Sequence, residues 1–323
     1  MPCPCIIGVE DAEGPGDRSA GERNLEVLRY VDHAIIAVAD LDAAAHDYEQ
    51  LLGMAVSAGG THPGAGTHNR LIVLDPEYIE LIARLPGSGL GEQSPVTPMF
   101  ARAPGLIGFA LASDDIDADI AAMRARGVPV RGPHAGRLEG PQGTGRGWRT
   151  ACPGEDARLG SAPWRLPFLI QHDSAGQERL CRLAAPGGPR PHTLGARRLD
   201  HVTVAVHDLA AGLRAYALVY GLEPDDEGED PMLRARTARL PLPQGAIVLA
   251  APLEADGPLA RGLAAQGEGL FSVAIAVDDL QRAVHDLRGR GVGVRVEEPG
   301  GVLVAARPDP ASAHGARLEL VRA

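Results

Sequence analysis

The chain has 323 residues, 45% of them hydrophobic and 3% aromatic, with a formal net charge of −11. That length accommodates two domains with buried cores, no apolar run nears the roughly 18 residues of a membrane span, and the acidity makes nucleic acid and anionic membranes poor partners. All 31 basic residues are Arg, which excludes Schiff-base, pyridoxal phosphate and P-loop lysine chemistry, since each needs a primary amine.

Residues 1–28 are rich in Gly, Glu, Asp and Arg without a sustained period and read as an N-terminal arm. Val31 to Met54 then opens a strand with an Asp-His pair and passes through Asp-Leu into an Ala-rich stretch. Asp40 is placed as the helix N-cap and Gly53 as its left-handed stop. Two strands, Leu71–Leu74 and Tyr78–Ala83, follow around an Asp-Pro turn, with Ala55 to Gly60 as an earlier one. The same spacing returns from Leu199 to Leu222, and weaker copies run from Leu106 to Val130 and from Leu270 to Val294. Four units, A to D, are therefore expected, and a repeat of this kind is read before any single residue.

Unit B ends in strands around Gly147–Ala151 and Leu166–Gln171. The segment 176–198, with five Pro and Gly residues close together, reads as a linker between domains at 29–175 and 199–323. A short helix from Pro258 to Gln266 leads to unit D, whose last strand is Ala316–Val321. Cys3, Cys5, Cys152 and Cys181 form no CxxC or Cys/His zinc spacing. With no cleavable apolar start, they read as free thiols in a reducing cytoplasm.

Repeated β-α-β-β-β units that open with Asp-His and close with Glu in the fourth strand resemble the vicinal oxygen chelate superfamily. That superfamily includes glyoxalase I, methylmalonyl-CoA epimerase, extradiol dioxygenases and fosfomycin-resistance enzymes. Units A and B, through THPGAGTHN, YIELIA and LPFLIQHD, are similar to its glyoxalase-like branch. Units C and D, through LDHVTVAVHDL and PASAHGARLELV, resemble the epimerase-like branch. The resemblance implies an α+β fold of four βαβββ units paired into two curved-sheet cups, A with B and C with D.

The resemblance also implies metal ligands on the first and fourth strands of each unit. In the first cup these positions are His33 and Glu80, with Gly108 and Gln171 in unit B. His68 completes a two-His, one-carboxylate set suited to Fe, Mn, Ni, Zn or Co, with His62 behind it. The second cup offers His201 and Glu319 as the alternative pair, with Val248 and Ser272 at the other two positions. An intact extradiol iron site would have His at the place of Ser272. Among the remaining histidines, His172 approaches the cup, His134 is a candidate to face substrate, and His46 and His285 sit on solvated helix faces.

Arg70, Arg146 and Arg149 lie on segments directed toward the first cavity, and Trp148 adds an apolar wall. A carboxylate, phosphate or thioester-linked small-molecule substrate suits them. The expected activity is that of a divalent-metal-dependent lyase or isomerase acting through an enediolate, with Glu80 and Arg149 as catalytic residues. The alternatives are an Fe(II) extradiol-type dioxygenase and a non-catalytic small-molecule binding or resistance protein. Units of this kind also pair across chains, which leaves a homodimer open.

Overall fold

In the computed structural model the described residues are 28–62, 65–87, 104–138, 145–154, 166–184 and 187–323. The expected N-terminal arm, with Cys3 and Cys5, lies outside them, apart from its last residue. Unit A forms β1 (Leu28–Ala37), α1 (Leu41–Gln50), β2 (Gly60–His62), β3 (Thr67–Val73) and β4 (Tyr78–Arg84). Unit B forms β5 (Gly105–Ser113), α2 (Ile116–Ala125), β6 (Val130–Leu138), β7 (Arg146–Pro153) and β8 (Phe168–His172), followed by α3 (Gly176–Ala184). Unit C forms β9 (Ala196–Ala205), α4 (Leu209–Tyr220), β10 (Asp226–Asp230), β11 (Ala235–Pro241) and β12 (Ala246–Pro252), followed by α5 (Pro258–Gln266). Unit D forms β13 (Gly269–Val277), α6 (Leu280–Gly289), β14 (Val294–Glu297), β15 (Ala305–Pro308) and β16 (Leu318–Arg322).

The strands make two eight-stranded curved sheets, in the orders β2-β3-β4-β1-β5-β8-β7-β6 and β10-β11-β12-β9-β13-β16-β15-β14. Units A and B share the first and units C and D the second, each pair meeting where two first strands run antiparallel. This is the α+β, two-cup architecture that the family resemblance implied.

The recurring Asp-Leu or Asp-Ile junction now has a local cause. Asp40, Asp115, Asp208 and Asp279 are the N-caps of α1, α2, α4 and α6, and each carboxylate accepts backbone N–H groups of the first turn. The apolar residue that follows each cap, Leu41, Ile116, Leu209 or Leu280, is buried. The junction therefore stops the strand, starts the helix and anchors it in one step. Gly53 has a φ of +68°, as a left-handed stop requires.

One apolar core runs from unit to unit through Tyr48, Phe109, Leu199, Tyr216 and Leu280. Units A and D touch where the Tyr48 hydroxyl donates to the Ala313 carbonyl (3.2 Å), and units B and C where Arg126 donates to the Leu218 and Val219 carbonyls. Gly105 and Gly315 let two backbones approach closely: a Cβ on Gly105 would stand 2.9 Å from the Gly315 oxygen.

Two expectations are corrected. The early strand of unit A is Gly60–His62, not Ala55–Gly60. Part of the segment read as a linker is the helix α3, whose Leu180, Leu183 and Ala184 pack on Leu71, Val73 and Tyr78. Its Pro and Gly content follows the helix and hid the amphipathic turns before it.

Candidate active site in the first cup

The Asp-His pair at the head of β1 sits on a β-bulge. Val31 pairs with Leu111 and His33 with Ala110, leaving Asp32 as the extra residue. A bulge breaks the strict alternation of faces, and Asp32 and His33 interact side by side instead of parting. The same irregularity places Asp200 beside His201 in β9. The repeated dipeptide marks a repeated kink.

Asp32 is fully buried and is the hub of the first cup. It accepts from Nδ1 of His33 (2.7 Å), from Nε2 of His172 (3.2 Å) and from Arg179 of α3 (2.5 Å). Burial by itself would raise this carboxyl, yet the Arg179 guanidinium and the histidines hold it well below the usual carboxylate range. Arg179 also donates to the Tyr30 hydroxyl (2.6 Å), and its own buried Nε–H has no hydrogen-bond partner among the described residues.

Cross-strand register sets the rest of the floor. Tyr78 and His33 are neighbours on parallel strands, and their rings stack with centroids 4.5 Å apart, with Phe168 edge-on to His33 at 5.7 Å. Two residues along, on the same face, Leu71, Glu80, Ile35 and Gly108 form the next row. Among the described residues nothing lies within 4 Å of the position a Gly108 Cβ would take, so the row opens into space at Gly108, across Ile35 from Glu80.

Glu80 is buried and accepts from Nδ2 of Asn69 at 2.6 Å. Its Oε2 lies 3.8 Å from Nε2 of His33, and its Oε1 lies 3.9 Å from Nε2 of His62. His62 is held through Nδ1 by the Thr67 hydroxyl (2.9 Å) and stands edge-on to Trp148. Burial lowers the pKa of both His62 and His172, partly offset by Glu80 and Asp32 respectively, so both favour the neutral imidazole at pH 7. Arg146 is buried among Tyr78, Glu80, Arg179 and Asp32, and desolvation lowers its pKa.

The structure thus brings together His33 and Glu80 and also His172, Arg146 and Trp148. It separates several other candidates. Among the described residues the histidines within 4 Å of Glu80 are His33 and His62; His68 pairs with Ala83, one residue out of phase with the Asn69 and Leu71 that share a face with Glu80. In a strand that single step reverses the face.

Arg149 is not in the cup. It forms a bidentate pair with Asp117 of α2 (2.8 and 2.9 Å) on the exposed side. Gln171, its register partner, donates to the Asp114 carbonyl and faces the same way. Arg70 pairs with Asp42, and His134 is exposed. Asp32 and Arg179 were missed as site residues. The signal for Asp32 was in the repeated dipeptide, whereas Arg179 sat in a stretch read as a linker.

Among the described residues no group of three His, Cys, Asp or Glu side chains is already drawn together for a metal ion. The donor chemistry of the first cup nevertheless fits a divalent ion. Two imidazole nitrogens face separate oxygens of one carboxylate, and metal bonds of roughly 2.0–2.1 Å to nitrogen and 2.0–2.2 Å to oxygen span at most about 4.3 Å. The Asp32 carboxylate on Nδ1 of His33 leaves Nε2 as the free lone pair, the usual support of a metal-bound histidine.

The second cup differs. His201 and Glu319 share a row but have Ala274 between them. Glu319 is bound by Arg307 (3.1 Å), which also holds Asp230 (3.1 Å) and Glu297 (3.2 Å). A guanidinium therefore stands at the carboxylate that the alternative metal pair would use.

A profile described as "Glyoxalase-like domain" matches residues 31–196, and one described as "Glyoxalase/Bleomycin resistance protein/Dioxygenase superfamily" matches 200–304. A search of the curated proteins finds no match. Among solved structures, a hypothetical protein from Staphylococcus aureus is similar at 14% identity and TM-score 0.63, over 91% of this chain and 99% of its own. A variant of 4-hydroxymandelate synthase from Streptomyces coelicolor is similar at 16% identity and TM-score 0.63, over 91% and 92%. Both likenesses concern the fold. Methylmalonyl-CoA epimerase from Mycobacterium tuberculosis is 29% identical over 40% of this chain and 90% of its own, at TM-score 0.37.

Proposed function

The chain belongs to the glyoxalase-like domain family of the vicinal oxygen chelate superfamily, and from that premise we propose that its first cup is a proton-transfer site of the lyase or isomerase type for a small oxygenated acid. The superfamily includes epimerases and dioxygenases and typically uses divalent metals. The observation that carries the reading is the Glu80 carboxylate set between Nε2 of His33 and Nε2 of His62, with Asp32 fixing the far side of the His33 ring.

His33, His62 and Glu80 are the residues that would hold the ion, Fe, Mn, Ni, Zn or Co. When bound, it supplies Lewis-acid polarisation of a carbonyl or carboxylate oxygen. The protein's own groups do the remaining work. Asp32 fixes the tautomer of His33, and stacking on Tyr78 fixes its plane. Glu80, held by Asn69, would turn from ligand to base, taking a proton from the substrate carbon next to its carbonyl or carboxylate and giving it back to the product. Arg146 and the unpartnered Nε–H of Arg179 place positive charge where negative charge develops, in a cup from which α3 and the aromatic rings exclude water. The space beside Gly108 receives the substrate.

The test is metal analysis of protein purified without chelator, together with proton NMR of C–H exchange in D2O for a panel of small 2-oxo and 2-hydroxy acids. The expected result is stoichiometric divalent metal and exchange in the wild type and in His68→Ala, with both lost in His33→Ala, His62→Ala and Glu80→Gln. Equal losses in His68→Ala and His62→Ala, or exchange that survives Glu80→Gln, would refute the assignment.

A further inference from the structure

The second cup contains a cavity that the chemistry of the first leaves unused. Met232, Leu233, Pro258 and Phe271 give it an apolar wall, with Arg317 and Ser272 facing it. Of the three arginines that line it, Arg295 is exposed, and the other two are in opposite situations. Arg307 is surrounded by the carboxylates of Asp230, Glu297 and Glu319. Arg317 lies 4.4 Å over the Phe271 ring and donates to the neutral amide oxygen of Gln266 at 3.2 Å. Among the described residues no carboxylate comes within ion-pair distance of Arg317, and burial lowers its pKa with no acid offsetting the effect.

A half-buried guanidinium over an aromatic ring retains donors that its one neutral partner does not use. Leaving such a charge uncompensated is costly. Arg307 neutralises part of the charge on Glu319, two residues along the strand, while the three acids gathered there disfavour a multiply charged ligand. The apolar wall favours a ligand with a short hydrocarbon body.

We propose that the second cup is a receptor for a small organic monoanion, whose carboxylate binds Arg317 and the Ser272 hydroxyl while its apolar end lies on Met232, Leu233 and Pro258. The site is independent of the proton-transfer reading of the first cup. It makes the two halves divergent in role: one prepared for chemistry, the other for binding.

The full chain, labelled with 13C at the methionine methyls, is titrated with sodium butyrate, butyramide and inorganic phosphate, and the Met232 signal is identified by Met232→Leu. Butyrate is expected to shift the Met232 signal saturably, and butyramide and phosphate to leave it in place. Removing the charged contact in Arg317→Gln is expected to weaken butyrate binding by about tenfold or more. If Arg317→Gln does not fold, Arg317→Lys decides, because it keeps the charge, loses the planar stack and weakens binding by about threefold or more. An unmoved Met232 signal, equal response to butyrate and butyramide, or unchanged affinity in the Arg317 variants would overturn the proposal.

Discussion

Asp32→Asn preserves volume and removes one charge at the centre of the first cup. The wild-type carboxylate has no solvent exposure and accepts from Arg179, His33 and His172. After the substitution, Arg179, itself 5% exposed and already carrying one orphaned N–H, retains the Tyr30 hydroxyl but loses its counter-ion. Breaking a buried pair from one side destabilises by about 3–5 kcal/mol, a large share of the roughly 5–15 kcal/mol that holds a domain folded. Urea unfolding followed by circular dichroism at pH 7 should show a lower midpoint with an unchanged slope.

The sign with pH follows from the same carboxyl. Its folded pKa lies below its ordinary value of 3.8, so its contribution is present above that value and is lost as pH falls through the folded one. Wild-type and variant stabilities should therefore converge in acid. In the exchange assay the variant should lose about 10- to 100-fold in activity, because Nδ1 of His33 no longer has its carboxylate. A stability loss under about 1 kcal/mol, against the 3–5 kcal/mol expected, or a difference that persists in acid, would refute the assignment of Asp32 as the hub.

Glu77, buried where β4 meets the start of β9, is pushed up to about 7 by desolvation despite hydrogen bonds from Gln244 and the Leu199 N–H. Its raised folded pKa means that stability is full below the unfolded value and is lost as pH rises through about 7. The unfolding free energy of the wild type, from urea titrations, should fall between pH 5 and 8 by up to about 3 kcal/mol relative to Glu77→Gln, and parallel profiles would contradict this. Arg149→Ala should leave both exchange activity and melting midpoint unchanged, since its pair with Asp117 is solvent-exposed. A loss of activity would return that residue to the site. Arg307→Met should lower the thermal midpoint of the second half at neutral pH, because three carboxylates lose their shared cation, and an unchanged midpoint would argue against the cluster.

The sequence by itself determined the unit and its fourfold recurrence. Those follow from period-two apolar runs, from an Asp that caps a helix wherever a strand ends, and from Gly at the stops, all of which are local. The family resemblance, carried by residues at fixed spacing that need no third dimension, also pointed to His33 and Glu80. Only the tertiary structure decided which neighbour joined them. His62 against His68, Arg146 against Arg149 and His172 against Gln171 are each choices between faces, set by register and by a bulge. A one-residue step reverses every side chain in a strand without changing composition or spacing. Arg179 lay further from view, since its partner Asp32 is 147 positions away in the chain. Only folding, by packing α3 on β3, makes the two neighbours.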